Sequence, residues 1–362
     1  MKKVAVQLRS RSYAIHIGNG IANRVGRIAK DLVPSREVVV VSSKEILRLH
    51  GEKVLGSLSR ASFKVSTIAL PQGERYKSLA TLANIYRRFA SHRVNRRTTI
   101  IAFGGGVIGD IAGFAAASYL RGLPLIQLPT TLLAQIDSSI GGKTGVNLPV
   151  GKNLVGAFHQ PRCVIVDPLL LASLPVREFR SGIYEALKYG VIKDRSLFML
   201  VDRKHHSLPG KDKRSLEQII SRCAEIKAQI VAADETETGV RMILNYGHTI
   251  GHALEAATEY RRLTHGEAIG HGMLMANQLA IELQLLTQAE AELINAAIVR
   301  VSALPRLNGL SNAKVFRCML SDKKFESQRF RFVLPRRIGD VAVVTDIPPS
   351  AVAAVIRRYL NA

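Results

Sequence analysis

The chain has 362 residues, 47% hydrophobic and 22% charged with 28 Gly and 13 Pro, which is enough for about two domains with a buried core and excludes a disordered tail or a fibrous repeat. Its three cysteines, Cys163, Cys223 and Cys318, form no C-x-x-C pair, which excludes a disulfide framework and a thiolate zinc site, so any metal must use nitrogen and oxygen ligands. Lys+Arg number 51 against 28 Asp+Glu, a net charge of +23 that favours anionic partners without choosing among them.

No run approaches the ~18 consecutive apolar residues of a membrane helix, and the opening MKKVAVQLRS meets a glutamine and an arginine before a signal core can form. The expected setting is the cytoplasm, with no membrane partner. Basic residues fall in short scattered groups and aromatics make up 6% with no Trp, a poor platform for stacking on single strands, so no specific nucleic acid is expected.

Through the first half, β-branched runs alternate with helical stretches. Strands are predicted over Lys3–Leu8, Ala14–Gly18, Glu37–Val41, Lys64–Ala69, Thr98–Phe103, Leu125–Leu128 and Val164–Val166, with helices around 21–31, 44–58, 78–90 and 107–120. After the fifth of these strands, Gly104, Gly106 and Gly109 satisfy G-x-G-x-x-G, a spacing that lets backbone approach a pyrophosphate at a helix N-terminus. No acid follows at ~20 residues, where Pro129-Thr130 stand, so an ordinary Rossmann dehydrogenase is disfavoured. Gly141-Gly142-Lys143-Thr144 is no phosphate loop, because that pattern needs Gly at 137 and the chain has Asp137. From Asp137 to Asn153 stands a polar, glycine-rich run between apolar segments, whose amides and lysines, Lys143 and Lys152, suit a phosphate or carboxylate; a solvated loop is the competing reading.

From about Pro168 strand signals nearly vanish, and 176–200, 214–233, 246–258 and 266–300 carry helical periodicity. The switch predicts an α/β nucleotide-binding domain over 1–168 and an α-helical domain over 169–362, with one late hairpin near 329–334 and Val341–Val344. His248 and His252 stand four apart and share a helix face, His265 opens HGEAIGHGM, and Glu185 lies in GIYEALKYG. Histidines with a carboxylate and no thiolate make a Zn²⁺-type site with an open position, and the absence of H-E-x-x-H argues against a zincin protease. His271 and the His205-His206 pair are read as packed residues. A dinucleotide, a divalent metal and an anion pocket together describe metal-assisted oxidation of an alcohol on a phosphorylated substrate.

Longer segments are more specific. GGGVIGDIAGFAAASYLRG (104–122), PTTLLAQIDSSIGGKTGVNLPVGKNLVGAFHQP (129–161), LPVREFRSGIYEALKYG (174–190), DETETGVRMILNYGHTIGHALE (234–255), HGEAIGHGM (265–273) and DKK (322–324) followed by FVLP (332–335) resemble the 3-dehydroquinate synthase family, in order and over nearly the whole chain. The resemblance implies a Rossmann-like NAD domain joined to an α-helical metal domain, working as a homodimer. It implies a carbon–oxygen lyase of the shikimate pathway that turns 3-deoxy-D-arabino-heptulosonate 7-phosphate into 3-dehydroquinate and phosphate. The implied steps are transient oxidation by NAD, β-elimination of phosphate, reduction and intramolecular aldol closure.

By motif, the resemblance implies Glu185, His248 and His265 as ligands of Zn or Co. It implies Asp137, Lys143, Asn153, Lys188, Lys227, Arg241, Asn245, His252 and Lys324 around the substrate, with Arg121 lent across the dimer and Glu237 as a supporting carboxylate. Glu74, Lys77, Gly106, Val107, Asp110, Thr130, Thr131, Lys152 and Ser173 are the implied NAD contacts. Retention of Arg241, Asn245, His252 and Lys324 favours a carboxylated substrate over sedoheptulose 7-phosphate, because buried cations facing a neutral group would be costly. One departure stands out: Ser42-Ser43 follow the third predicted strand, where the family usually carries Asp or Asn for the adenosine ribose.

Overall fold

A computed structural model of the chain describes residues 1–209, 212–320, 325–326 and 329–361. It divides into two compact units, Met1–Pro175 with Leu216–Thr236, and Val176–Ser215 with Glu237–Ala362.

In the first unit the elements in order are β1 (Lys2–Val6), β2 (Tyr13–Ile17), α1 (Val25–Ala29), β3 (Glu37–Ser43), α2 (Lys44–Arg60), β4 (Lys64–Leu70), α3 (Leu79–Ser91), β5 (Thr99–Gly104), α4 (Gly106–Ser118), β6 (Leu125–Pro129), β7 (Lys143–Leu148), β8 (Gly151–Phe158) and β9 (Cys163–Val166). A seven-stranded sheet runs β1-β2-β9-β6-β5-β3-β4, parallel except for the β1–β2 pair. The four valines of β3 explain why this is a doubly covered sheet. Val39 and Val41 join a core with Ile85, Phe89 and Ile111 from α3 and α4, while Val38 and Val40 join a second core with Val25, Val54 and Leu58 from α1 and α2. Both faces are buried, so the strand reads as a continuous apolar run. The chain leaves β3 for β4 on one side and returns to β5 on the other, and that reversal opens a crevice at the carboxyl ends of β3 and β5.

The polar run after Asp137 is not a loop. It forms the antiparallel hairpin β7–β8, with Gly145 opposite Gly156. A Cβ on Gly156 would lie 2.1 Å from the Thr144 carbonyl oxygen, so the glycines that make the segment look irregular are what allow the strands to pack so closely.

The remaining elements are α5 (Val176–Lys193), α6 (Arg195–Lys204), α7 (Lys213–Ala233), α8 (His248–Ala257), α9 (His265–Glu282), α10 (Gln288–Val301), α11 (Asn312–Leu320), β10 (Phe325–Glu326), β11 (Arg329–Arg337), β12 (Asp340–Ile347) and α12 (Pro349–Asn361). Two runs expected as single helices are each divided by a cap. Asp194 accepts from Ser196 N at 2.9 Å and Leu197 N at 3.1 Å to start α6, and Thr287 accepts from Glu290 N at 3.3 Å to start α10. The late hairpin forms as β11–β12, extended by β10. Most of α7 goes with the first unit, where Lys2–Glu225 at 2.5 Å and Asn19–Glu217 at 2.7 Å hold it, and just past its end Glu235 pairs with Arg11 at 2.7 Å. The first break between the two units falls after Pro175. Among the described residues no helix is long and apolar enough to cross a membrane.

His271 on α9 is 4% exposed, with Nδ1 2.8 Å from the Tyr359 hydroxyl of α12 and Nε2 3.1 Å from the Pro305 carbonyl. Nε2 donates to the carbonyl, and in the neutral ring Nδ1 accepts from the hydroxyl; burial favours that neutral form and holds the pKa down at about 4. A histidine lowered in the fold stabilises at neutral pH and loses that contribution as pH falls from about 6.5 towards 4. Thermal unfolding midpoints should fall through that window, and His271→Leu should flatten that part of the slope. An unchanged slope would contradict the assignment.

Candidate active site

The first unit places a glycine turn at a helix N-terminus. The strand β5 ends in Gly104, Gly105 N-caps α4, and among the described residues no side chain caps that helix, whereas Ser43 caps α2 and Ser78 caps α3. The amides of the first turn of α4 are thus left for a ligand, at the crevice where the sheet order reverses. A Cβ on Gly105 would stand 2.9 Å from Thr131 Cγ2, and Thr130 N donates to the Gly104 carbonyl at 3.0 Å, so Thr130 and Thr131 wall the turn. Gly106, Val107 and Asp110 follow on α4. Lys77, 4% exposed, reaches both the Asp110 carboxylate and Asn153 Oδ1. Burial pushes the Asp110 carboxyl above its ordinary value, with the Lys77 ammonium pulling the other way. Beside it, Glu74 accepts from Asn147 Nδ2 at 2.8 Å and stands 3.8 Å from Lys152 Nζ. Lys227 of α7 pairs with the Asp137 carboxylate and donates to the Asp137 carbonyl at 3.0 Å.

The second unit gathers Glu185, His248 and His265, a group that could hold a metal ion. Glu185 is fully buried on α5, and its Oε1 lies 3.6 Å from His248 Nε2 and 3.7 Å from His265 Nε2. These distances are too long for hydrogen bonds and suit atoms that share one cation at roughly 2.0–2.2 Å from each. Glu185 Oε1 has no hydrogen-bond partner among the described residues, although it is buried. A buried carboxylate oxygen facing two imidazole nitrogens fits a divalent cation. Both rings have their other nitrogen occupied: His248 Nδ1 lies 3.0 Å from the Tyr246 carbonyl, and His265 Nδ1 lies 3.1 Å from Glu255 Oε2. Each Nδ1 therefore carries the proton and each Nε2 presents its lone pair towards Glu185.

Backbone approach brings these ligands together. A Cβ on Gly272 of α9 would lie 1.9 Å from the Gly247 carbonyl, just before His248, so α8 and α9 touch through bare backbone. The fully buried Lys188, one turn after Glu185, holds Glu185 Oε2 at 2.5 Å. The His252 ring centroid lies 5.3 Å from that of His248 and 5.9 Å from that of His265. Arg241, 1% exposed, lies in the turn Val240–Asn245, and Asn245 Nδ2 donates to Glu237 Oε1 at 2.9 Å.

Within each unit, most of the expected residues therefore come together: Lys77 with Asp110 and Asn153, Asp137 with Lys227, and Glu185 with Lys188, His248, His252 and His265. Ser173 is engaged by His50 Nε2 at 2.7 Å, Lys143 is exposed at the start of β7, and Arg121 is exposed at φ +66°. Lys324 lies outside the described residues. Glu255 escaped the sequence reading. It stands seven residues after His248, so the helical spacing 248, 252, 255 could have found it.

The family model for 3-dehydroquinate synthase N-terminal matches residues 67–181, and that for 3-dehydroquinate synthase C-terminal matches residues 182–325. The chain is 44% identical to the 3-dehydroquinate synthase of Nostoc sp., covering 98% of this chain and 99% of that one. It is likewise 44% identical to the 3-dehydroquinate synthase of Gloeobacter violaceus, covering 100% and 99%. Among solved structures, 2-deoxy-scyllo-inosose synthase complexed with carbaglucose-6-phosphate, NAD⁺ and Co²⁺ is similar at TM-score 0.89 and 28% identity, covering 99% of both chains. A 2-epi-5-epi-valiolone synthase from Streptomyces hygroscopicus with NAD⁺ and Zn²⁺ bound gives TM-score 0.89 and 27% identity over 98% of both.

Proposed function

The chain belongs to the 3-dehydroquinate synthase family, and we propose that it converts 3-deoxy-D-arabino-heptulosonate 7-phosphate to 3-dehydroquinate and phosphate, a lyase step of the shikimate route to aromatic amino acids. The observation that carries this reading is the cluster in which buried Glu185 Oε1 faces His248 and His265 at 3.6 and 3.7 Å. When bound, Zn²⁺ or Co²⁺ on Glu185, His248 and His265 supplies Lewis-acid polarisation of a substrate oxygen, and NAD⁺ at the glycine turn supplies a hydride acceptor and donor.

The chain's own side chains do the rest. Arg241, held in place by burial, grips the substrate carboxylate with the fork geometry that lysine lacks. Lys143, Lys188, Lys227 and Lys324 offer charge to phosphate and hydroxyl oxygens, and Asn153 and Asn245 hydrogen-bond them. His252, one turn beyond His248, moves a proton at a substrate hydroxyl. Asp137 positions Lys227 through their ion pair. Lys77, Asp110, Glu74 and Lys152 form the polar wall for the dinucleotide beside Gly106, Val107, Thr130, Thr131 and Ser173. Similar neighbours act in other cyclisations, so the decisive comparison is phosphate release from the heptulosonate phosphate against sedoheptulose 7-phosphate with metal-loaded protein. Turnover of the carboxylated sugar is expected; turnover of sedoheptulose 7-phosphate alone would overturn the substrate assignment.

The homodimer and the role of Arg121 belong to the same proposal. The β8 strand leaves Leu154 and Phe158 exposed, at 36% and 41%, and Leu120 at 40% stands beside Arg121 in a turn where both have positive φ. Apolar exposure next to a rigidly presented cation suits a face covered by a second copy that receives the arginine. Arg121→Ala and Glu185→Ala should each be inactive alone and regain activity when the two are mixed and allowed to exchange, since one site of the mixed dimer has both residues. Mixtures that stay inactive although mixed dimers form would contradict it.

A further inference from the structure

Glu255 has no role in the sequence reading, yet it is the side chain that holds the ligand His265. It is 3% exposed on α8, and its Oε2 lies 3.1 Å from His265 Nδ1. It also belongs to a group, His252, Glu255 and His265, whose potential ligand atoms lie within 4.8 Å of one another. The helix α8 presents His248, His252 and Glu255 at intervals of four and three residues, so one face carries a ligand, a polar neighbour and this carboxylate. His265 comes from the first turn of a different helix, α9, and is the more exposed of the two histidines, its side chain 28% open against 11% for His248. The two rings are also held differently: His248 donates to a backbone carbonyl, which no substitution removes, and His265 donates to a side chain.

From this we infer that Glu255 is a positioning residue for the metal, setting the tautomer and ring orientation of His265 and raising the basicity of its Nε2. A carboxylate accepting from Nδ1–H pushes electron density onto the opposite nitrogen and fixes the ring against rotation, and removal of such a partner typically weakens metal binding 10–100-fold. The inference rests on the ligand assignment made above. It also predicts an asymmetry, since His248 needs no equivalent side chain.

The test is Co²⁺ affinity by chelator competition, read together with the visible absorption of the Co²⁺ protein, for the full chain and its Glu255→Gln, Glu255→Asp and His265→Ala variants. Glu255→Gln should bind Co²⁺ about 10–100-fold more weakly with an altered Co²⁺ spectrum. Glu255→Asp should recover part of the affinity, and unfolding midpoints in excess chelator should stay near the parent's. A purely structural role would lower the midpoint in chelator and leave the Co²⁺ spectrum of the bound form unchanged, which would overturn the inference. Loss of Co²⁺ in His265→Ala with parent-like affinity in Glu255→Gln would also overturn it while leaving the ligand assignment intact. Parent-like Co²⁺ affinity in His265→Ala would instead sink the ligand assignment, and this inference with it.

Discussion

Glu185→Gln is expected to lose bound metal and to lower turnover by roughly 10³-fold or more, because polarisation by a metal is worth several kcal/mol of transition-state stabilisation. The amide keeps the volume of the carboxylate inside α5 and removes the charge that faces His248 and His265 at 3.6 and 3.7 Å. It also removes the partner that Lys188 holds at 2.5 Å in a fully buried position, so the variant should be less stable as well. Metal content per chain separates the two effects from simple unfolding. Nucleotide binding reports the first unit, whose glycine turn and Lys77–Asp110 pair include no residue near Glu185 in sequence. The expected pattern is therefore absent metal and retained nucleotide binding. Metal-dependent turnover near the parent's in Glu185→Gln would remove it from the ligand set.

Gly272→Ala should be strongly destabilising. Its Cβ would sit 1.9 Å from the Gly247 carbonyl oxygen and 2.9 Å from Gly251 N, both backbone atoms that cannot swing aside. Only a displacement of α8 against α9 relieves the clash, and His248 is the residue after Gly247. A loss of about 3 kcal/mol or more is expected, at the upper end for overpacking, with weakened metal binding in whatever fraction folds. Gly56→Ala in α2 is the matching control, since its Cβ meets only the flexible end of Arg60 at 3.3 Å and should raise stability by up to about 1 kcal/mol. Denaturant unfolding of both variants, with cobalt uptake for Gly272→Ala, checks this. A Gly272→Ala protein as stable and as metal-competent as the parent would mean that α8 and α9 do not meet through backbone.

The sequence was most informative where one periodicity or one spacing decides the outcome. Val38 to Val41 are apolar on both faces because helices cover both, and the glycines after β5 mark the turn because only bare backbone fits beside Thr131. His248 and His252 declare a shared face by their separation alone. It was least informative where long-range pairing decides. The β7–β8 hairpin reads as a loop because its glycines lower strand propensity, and only the opposing strand reveals that they permit close approach. The caps at Asp194 and Thr287 were hidden inside helical periodicity, because a single polar residue barely perturbs a moment summed over many positions. The ion pairs of Glu225 on α7 with Lys2, and of Glu235 just past it with Arg11, span more than two hundred residues, which no local pattern can register. Glu255 was legible in its helical position and missed because its partner, His265, starts another helix.

Ser42 and Ser43 show the same contrast at the nucleotide end. Sequence marks them as a departure from the family's usual acid or amide, and the structure shows what they do instead. Ser42 Oγ donates to the Phe103 carbonyl at 2.6 Å, and Ser43 Oγ accepts from Ile46 N at 3.2 Å and from Gln72 Nε2 at 3.2 Å. Both hydroxyls serve the fold at the edge of the crevice.

A redox-neutral cyclisation fixes one stoichiometry. With metal-loaded protein, limiting NAD⁺ and an excess of 3-deoxy-D-arabino-heptulosonate 7-phosphate, many molecules of 3-dehydroquinate are expected for each NAD⁺, with one phosphate for each product and no accumulation of NADH. NADH rising in step with product, or release of phosphate without 3-dehydroquinate, would contradict it.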